Sequence, residues 1–519
     1  MPRLNLQLNG TMGLLPASIG LLFSVTAVGA FSQDTGSQRA GSNLSFSVVP
    51  RLSVTETFTD NVSLVNTGRR AEQITDISPG IVISGNSGRT KVFVDYSLHE
   101  TLYAQNSSGR RSQNALNASG TVEAVENWAY LDFGGNISQQ AISAFGAQSP
   151  SNLSINPNLA ETRSFRLSPY LRGKLSTFAD YEARYSLATS RSPSALASDV
   201  TTNDAVVKLN GRSPSANLGW AVDASRQNTD YRAGRSTQSD RFNATLTYPV
   251  NPQLNFSVTG GQEANNFTSV ERKSSFTSGF GINWAPWEST KLSASRQNRP
   301  FGESHSFSFE HRTPRTVWRF SDTKDISVTP SGTGLTGLGS TYDLYFAQFA
   351  SIEPDPVLRA ALVSNFLQAN GINPNISVVS GFLTSAASLQ RRQDISFALL
   401  GLRDTVTFIA NRSEGSRLDS IAVANDDLAN SGAVRQNGVS VSYAHRLTPD
   451  ASLNVLASVQ KATDGLGLQS TSTKSVNLSL STRLTRRSTA VLSARRVVFE
   501  SNTSPYTESA IIGALNVQF

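Results

Sequence analysis

The sequence predicts an all-β fold: a transmembrane antiparallel β-barrel of the outer-membrane type, with about 22 strands (roughly 18–24) and one short helical insert. Three observations predict it. From residue 43 onward, long segments alternate apolar and polar side chains. The breaks between them alternate between tight turns and longer polar loops. The last segment is an amphipathic strand that stops on an aromatic residue.

Bulk composition hides the alternation. Of 519 residues 38% are hydrophobic, and mean hydropathy is -0.23, with none of the runs of ~20 apolar residues that membrane helices need. A barrel strand needs only every second residue apolar. In Lys91–Ala104, Val92, Val94, Tyr96, Leu98 and Leu102 oppose Lys91, Asp95, Ser97, His99 and Thr101. Phe242, Ala244, Leu246 and Tyr248 oppose Arg241, Asn243, Thr245 and Thr247. Val476, Leu478 and Leu480 oppose Ser475, Asn477, Ser479 and Ser481. A soluble sandwich has the same period, but its strands usually run ~5–6 residues. These sustain about ten or more, as tilted membrane strands must. Tyr96, Tyr248, Tyr443, Trp220, Trp284, Trp287 and Phe519 fall close to segment ends, where interfacial girdles belong. Thr489–Glu500 does not separate into two faces.

Tight turns are expected at Gly85–Arg89, Glu126-Asn127, Lys174–Phe178, Arg212–Ser215, Pro249–Pro252, Ala285–Glu288, Arg312–Arg315, Thr448–Asp450 and Thr485–Arg487. Long loops fall between them, among them Asp60–Arg70, Ile142–Ala160 and Glu414–Gly432. Short turns at one rim and long loops at the other are what outer-membrane barrels show, the short rim being periplasmic. An even strand number puts both chain ends at that rim.

In the last strand, Tyr506–Phe519, Ser509, Ile511, Gly513, Leu515, Val517 and Phe519 share the more apolar face. A half-buried strand of a soluble sandwich would look the same. The pattern Leu515, Val517, Phe519 at the end of the chain resembles the assembly signal of bacterial outer-membrane barrels, which implies the barrel-assembly machinery as a partner. At the other end, Arg3 followed by the apolar Gly13–Gly29 and the small residues Val28-Gly29-Ala30 reads as a signal peptide over 1–30, with a mature start near Phe31. A short periplasmic segment, 31–42, then precedes the barrel, 43–519. The absence of Cys fits an oxidising compartment.

The net charge of +7 is spread over arginine pairs: Arg69-Arg70, Arg110-Arg111, Arg391-Arg392, Arg486-Arg487 and Arg495-Arg496. Most read as solvated loop or strand-end charge. None is interleaved with aromatics as a nucleic-acid groove requires, so no nucleic acid is expected.

One stretch, 325–378, breaks the rhythm. A Gly/Ser/Thr run leads to Glu353–Gly371, where Val357, Leu358, Ala361, Leu362, Phe366 and Leu367 recur at helical spacing. Asp355 fits an N-cap with Pro356 at the first helical position, and Gly371 a C-cap, which predicts a short amphipathic helix over 356–370. Strand parity brings this insert out at the long-loop rim. From there it either folds into the lumen, making Asp355 and Arg359 constriction residues, or packs on the surface.

Pro50–Leu64 (PRLSVTETFTDNVSL), with its T-D-N, and the P-D-P-x-x-R before the helix resemble the outer-membrane β-barrel family of PEP-CTERM/exosortase exopolysaccharide systems. The resemblance implies an outer-membrane location, outer-membrane lipid around the barrel, and polysaccharide or export-system proteins as partners. It implies no catalytic residues. The function expected is passage of exopolysaccharide or a related polymer. A non-conducting scaffold and a small-solute porin are the alternatives. The twenty-two-strand TonB-dependent transporters carry a large N-terminal plug domain, for which the sequence before strand one leaves no room.

Chemistry is sparse. His99, His305, His311 and His445 are dispersed, with no H-E-x-x-H and no metal-ligand spacing. Folding can still bring His99 or His445 beside an Asp. No nucleotide, haem or flavin motif occurs. The expectation is no enzyme activity, no metal and no cofactor.

Overall fold

A computed structural model describes residues 45–105, 110–193, 199–213, 218–232, 234–329, 342, 345, 346, 349, 353, 355–369, 381–384, 386–418 and 426–519. The expected signal peptide, the 31–42 segment and the Gly371 cap lie outside them.

The chain winds into strands β1 (Ser45–Thr59), β2 (Glu72–Asn86), β3 (Thr90–Tyr103), β4 (Arg110–Val125), β5 (Ala129–Ala141) and β6 (Leu159–Leu175). It continues through β7 (Ala179–Arg191), β8 (Val200–Arg212), β9 (Gly219–Tyr231), β10 (Thr237–Asn251), β11 (Leu254–Asn265) and β12 (Lys273–Trp287). Then come β13 (Thr290–Arg299), β14 (Gly302–Arg312), β15 (Thr316–Ser327), helix α1 (Pro356–Ala369), β16 (Ser388–Leu400) and β17 (Asp404–Arg417). The short helix α2 (Asp427–Ser431) precedes β18 (Ala433–Arg446), β19 (Ala451–Asp464), β20 (Ser470–Thr485), β21 (Ser488–Ser501) and β22 (Tyr506–Gln518).

Each strand pairs antiparallel with its neighbour in sequence, and β1 closes on β22 from Arg51↔Gln518 to Thr59↔Ala510. The fold is therefore a closed 22-stranded antiparallel barrel. Closure removes the sheet edge, so backbone groups are satisfied strand to strand, as a lipid environment demands. Strand spacing of ~4.8 Å and a tilt of ~40° make such a ring roughly 40–45 Å across.

The pleat sorts the side chains. Outward positions carry the exposed apolar residues, such as Phe242, Leu246 and Tyr248 on β10 and Val476, Leu478 and Leu480 on β20. Inward positions are small and polar. Both chain ends of the barrel lie at the short-turn rim, as expected. All five tryptophans, Trp128, Trp220, Trp284, Trp287 and Trp318, also lie at that edge. Tyr96 departs from the expected girdle and sits mid-strand on β3.

The loop pattern holds with exceptions. A turn at Gly401–Arg403, absent from the sequence expectation, joins β16 to β17. At the long-loop rim, only Pro300 and Phe301 separate β13 from β14. The strands bound the insert at 328–387, where 325–378 was expected: residues 325–327 are still strand, and Phe382, Leu383 and Ala387, buried near its end, precede β16.

The arginine pairs are split by the pleat. In Arg110-Arg111, Arg391-Arg392 and Arg495-Arg496 one member points out and the other in. Arg495 is buried against Glu508 (2.8 Å), an exception to the solvated charge expected of most of these arginines.

Candidate functional site: the occupied lumen

The interior is crossed at two levels. The insert follows β15 at the long-loop rim, and its helix α1 lies in the short-turn half of the lumen. Asp355 caps the helix, its Oδ1 accepting from the N–H of Val357 (2.9 Å) and Leu358 (3.3 Å). The same carboxylate pairs with Lys91 near the start of β3. Burial alone would raise the Asp355 carboxyl, but the Lys91 ammonium and the two backbone donors outweigh it and hold it below the usual range. Ser364 reaches Asp95 on β3 (3.4 Å), and Asp95 is held in turn by Arg51 of β1.

Apolar contacts fix both ends of the helix. Val357 and Ala360 pack on Phe93 of β3 and Val82 of β2. Val363 and Leu367 pack with Tyr345 and with Ile409 of β17. Tyr345 also reaches Ser442 of β18 (3.4 Å). With ~1.5 Å rise per residue, α1 is about 21 Å long, and its contacts run from β2–β3 to β17, eight strands round the ring from β3. Asp355 is thus a docking residue of the insert. Arg359 donates to the Glu353 carbonyl (2.8 Å) and lies over the Phe346 ring; burial and the Arg319 guanidinium of β15 lower its pKa. The helix is not the amphipathic one expected. Apolar residues occur around its circumference, because barrel wall and insert aromatics cover it from several sides.

Nearer the long-loop mouth, 142–158 forms a strap from β5–β6 to the far wall. Asn158 organises it: its Oδ1 accepts from Ser143 N (2.9 Å), and its Nδ2 donates to the carbonyls of Ser143 (2.9 Å) and Ala147 (3.2 Å). Gly146 makes this closure possible, since a Cβ there would lie 2.4 Å from the Asn158 side chain. Along the strap, Ala144 packs with Phe382, Leu428, Val434 and Ala462. Asp427 of α2 accepts from Ala144 N (2.6 Å) and Ser143 Oγ (2.8 Å), while burial raises its carboxyl. Thr471 of β20 donates to the Ala144 carbonyl (3.2 Å), Tyr506 of β22 to that of Gln148, and Tyr103 of β3 to that of Leu153 (2.8 Å). This explains why Thr489–Glu500 resisted sorting. Val497 and Phe499 face inward yet are apolar, because Leu64 and the strap at Ala147 pack on them. The sequence showed this segment only as a loop; its apolar Ile142, Ala144 and Phe145 were the available signal.

The T-D-N triplet is a clasp on the barrel seam. Thr59 donates to Glu508 (3.0 Å), Asp60 accepts from Ser509 N (2.7 Å), and Asn61 donates to the Thr507 carbonyl (2.9 Å). Leu515, Val517 and Phe519 face outward; Leu515 and Val517 lie opposite Val54 and Leu52 of β1.

Both histidines singled out from sequence meet an aspartate. His445 contacts Asp404 (2.6 Å) on the outer wall at the short-turn edge. In the lumen, His99 has Asp76 on Nδ1 (3.0 Å) and Ser97 on Nε2 (3.2 Å). The order resembles a hydrolase triad, but Ser97 is only 7% exposed, and Asp76 is shared with Ser78 and Thr101. A hydroxyl this covered offers no approach for a substrate carbonyl, and the cluster braces the β2–β3 wall. Among the described residues no group of three or more His, Asp or Glu is arranged to hold a metal ion.

No protein-family model and no curated protein matches the chain. Among solved structures, the chain is similar to the FrpB iron transporter (F5-1 variant) from Neisseria meningitidis, at 11% identity and a TM-score of 0.48, covering 91% of this chain and 82% of that one. It is also similar to the siderophore receptor PirA from Pseudomonas aeruginosa (8%, 0.42, 91% and 80%). A third is the ferric-catecholate import receptor Fiu from E. coli K12 (9%, 0.45, 91% and 82%). The likeness is that of one barrel to another.

Proposed function

We propose that the protein is an outer-membrane channel, narrowed from within by its own insert, that passes a hydrated polar polymer of the polysaccharide class. The supporting observation is α1 itself, set inside the bore and held by Lys91, Phe93 and Asp95 of β3 and by Ile409 of β17. The inward wall beyond it is rich in Ser, Thr and Asn, including Ser295, Ser306, Thr259 and Asn243. Such a surface offers many weak hydrogen bonds, and conduction requires binding weak enough to release. The resemblance to PEP-CTERM/exosortase-associated barrels favours exopolysaccharide as the polymer. A scaffold that conducts nothing is the second reading, favoured by the strap tied across the mouth.

The deciding experiment is single-channel conductance of the refolded protein in a planar bilayer, with and without 340–376. The channel reading expects low conductance from the intact protein, a severalfold rise on deletion, and block of the enlarged pore by added polysaccharide. Conduction that polysaccharide leaves unblocked would indicate a small-solute porin. Silence from both folded proteins would make the barrel a scaffold.

A further inference from the structure

The outer wall carries its own pattern. Along β15–β21 the outward face changes from apolar to basic at one level, on the long-loop side of the apolar belt. On β15, Lys324 comes two turns of the pleat beyond the aromatic Trp318 and Phe320. On β17, Arg412 lies beyond Phe408, and on β19 Lys461 lies beyond Val459. On β21, Arg496 lies beyond Leu492.

Some cations at this level are paired: Arg391 with Asp322 (2.7 Å), Arg435 with Glu414 (3.1 Å) and Lys474 with Glu500 (2.6 Å). Lys324, Arg412, Lys461 and Arg496 have no carboxylate partner among the described residues; Arg496 donates to Ser509 Oγ (2.6 Å). The register makes them neighbours. Lys324 faces Arg391 directly, Arg412 and Lys461 both face Asn437, Lys474 faces Val459, and Arg496 faces Val476. Seven strands at ~4.8 Å spacing present a basic band roughly 30 Å wide.

Among the described residues the opposite wall shows no such excess. There Arg110 pairs with Glu100 (2.8 Å), Arg163 with Glu161 (2.7 Å) and Arg226 with Asp240 (3.6 Å), while Asp230 of β9 offsets Arg191 of β7. At the short-turn edge the outward face is aromatic instead. A band of unpaired cations just beyond a hydrocarbon belt stands at head-group height, where Arg and Lys bind phosphate oxygens.

We propose that the outward face of β15–β21 binds the phosphorylated sugar head of an outer-leaflet glycolipid, an assignment that rests on the outer-membrane reading above. The acyl chains would lie on the apolar belt of the same strands, and the phosphates among Lys324, Arg412, Lys461 and Arg496.

The test uses the full-length protein in neutral detergent, with lipopolysaccharide as the probe and native mass spectrometry counting bound copies. Wild type is expected to retain the glycolipid, and added salt to weaken the complex. Binding should fall about tenfold or more in the combined Lys324→Gln, Arg412→Gln, Lys461→Gln, Arg496→Gln variant, and equally for wild type with enzymatically dephosphorylated glycolipid. The opposite-wall variant Arg163→Gln, Arg191→Gln, Arg226→Gln should bind as wild type. Undiminished binding by the first variant, indifference to the phosphates, or an equal loss from the opposite wall each overturns the proposal. Heat-modifiable gel migration verifies that each variant is a folded barrel. Because lipid binding is read without conductance, a silent barrel leaves this result standing, and failure here leaves the channel reading intact.

Discussion

Asn61 shows how much one side chain can carry in a closed sheet. It is fully buried, and its amide holds Val65 on its own loop (2.7 Å) and Thr507 on the last strand (2.9 Å). Asn61→Ala strands the Val65 N–H (now 3.1 Å from Oδ1) and two carbonyls, at a cost of about 1–3 kcal/mol. The folded barrel should therefore convert to the slow-migrating, unfolded gel form at a lower temperature than wild type, whereas Asp60→Asn, which keeps an acceptor for Ser509, should change little. The triplet was legible as a motif but not as a seam clasp. Its partners are almost the whole chain away, and only barrel closure brings Thr507–Ser509 beside it.

At the scale of elements, strand existence, order and parity were readable because a single variable, alternation, sets them. The helix was readable from Asp355-Pro356 and the change of period. Its location was not, because the partners that draw it inward (Phe93, Asp95, Ile409) are ordinary strand residues until the lumen exists. The docking carries a pH dependence. Since the folded Asp355 carboxyl is held below its unfolded value, its contribution is fully present above about pH 4 and is lost as pH falls through the lower folded value. Bilayer conductance should stay flat from pH 7 to about 4 and rise below it. Asp355→Asn should show the raised level at pH 7 and lose that acid-dependent step. A conductance step near neutrality would place the controlling group elsewhere.

For the whole molecule, the seam has a mechanical consequence. β1 and β22 are antiparallel, and their ends nearest the chain termini lie at the same rim, joined from Arg51↔Gln518 upward. A load applied at Phe519 therefore pulls along the line on which the final hydrogen-bonded pairs open one after another, as a zipper does, rather than shearing all of them together. Unfolding in a force microscope should proceed by extraction of hairpins, beginning with β21–β22, at low and nearly uniform force. The clasp at Thr59–Asn61 sits at the far end of that line. Each of its bonds would be tested only when the zipper has run the full height of the wall, so that the first peak should end in a late, higher shoulder that Asn61→Ala removes.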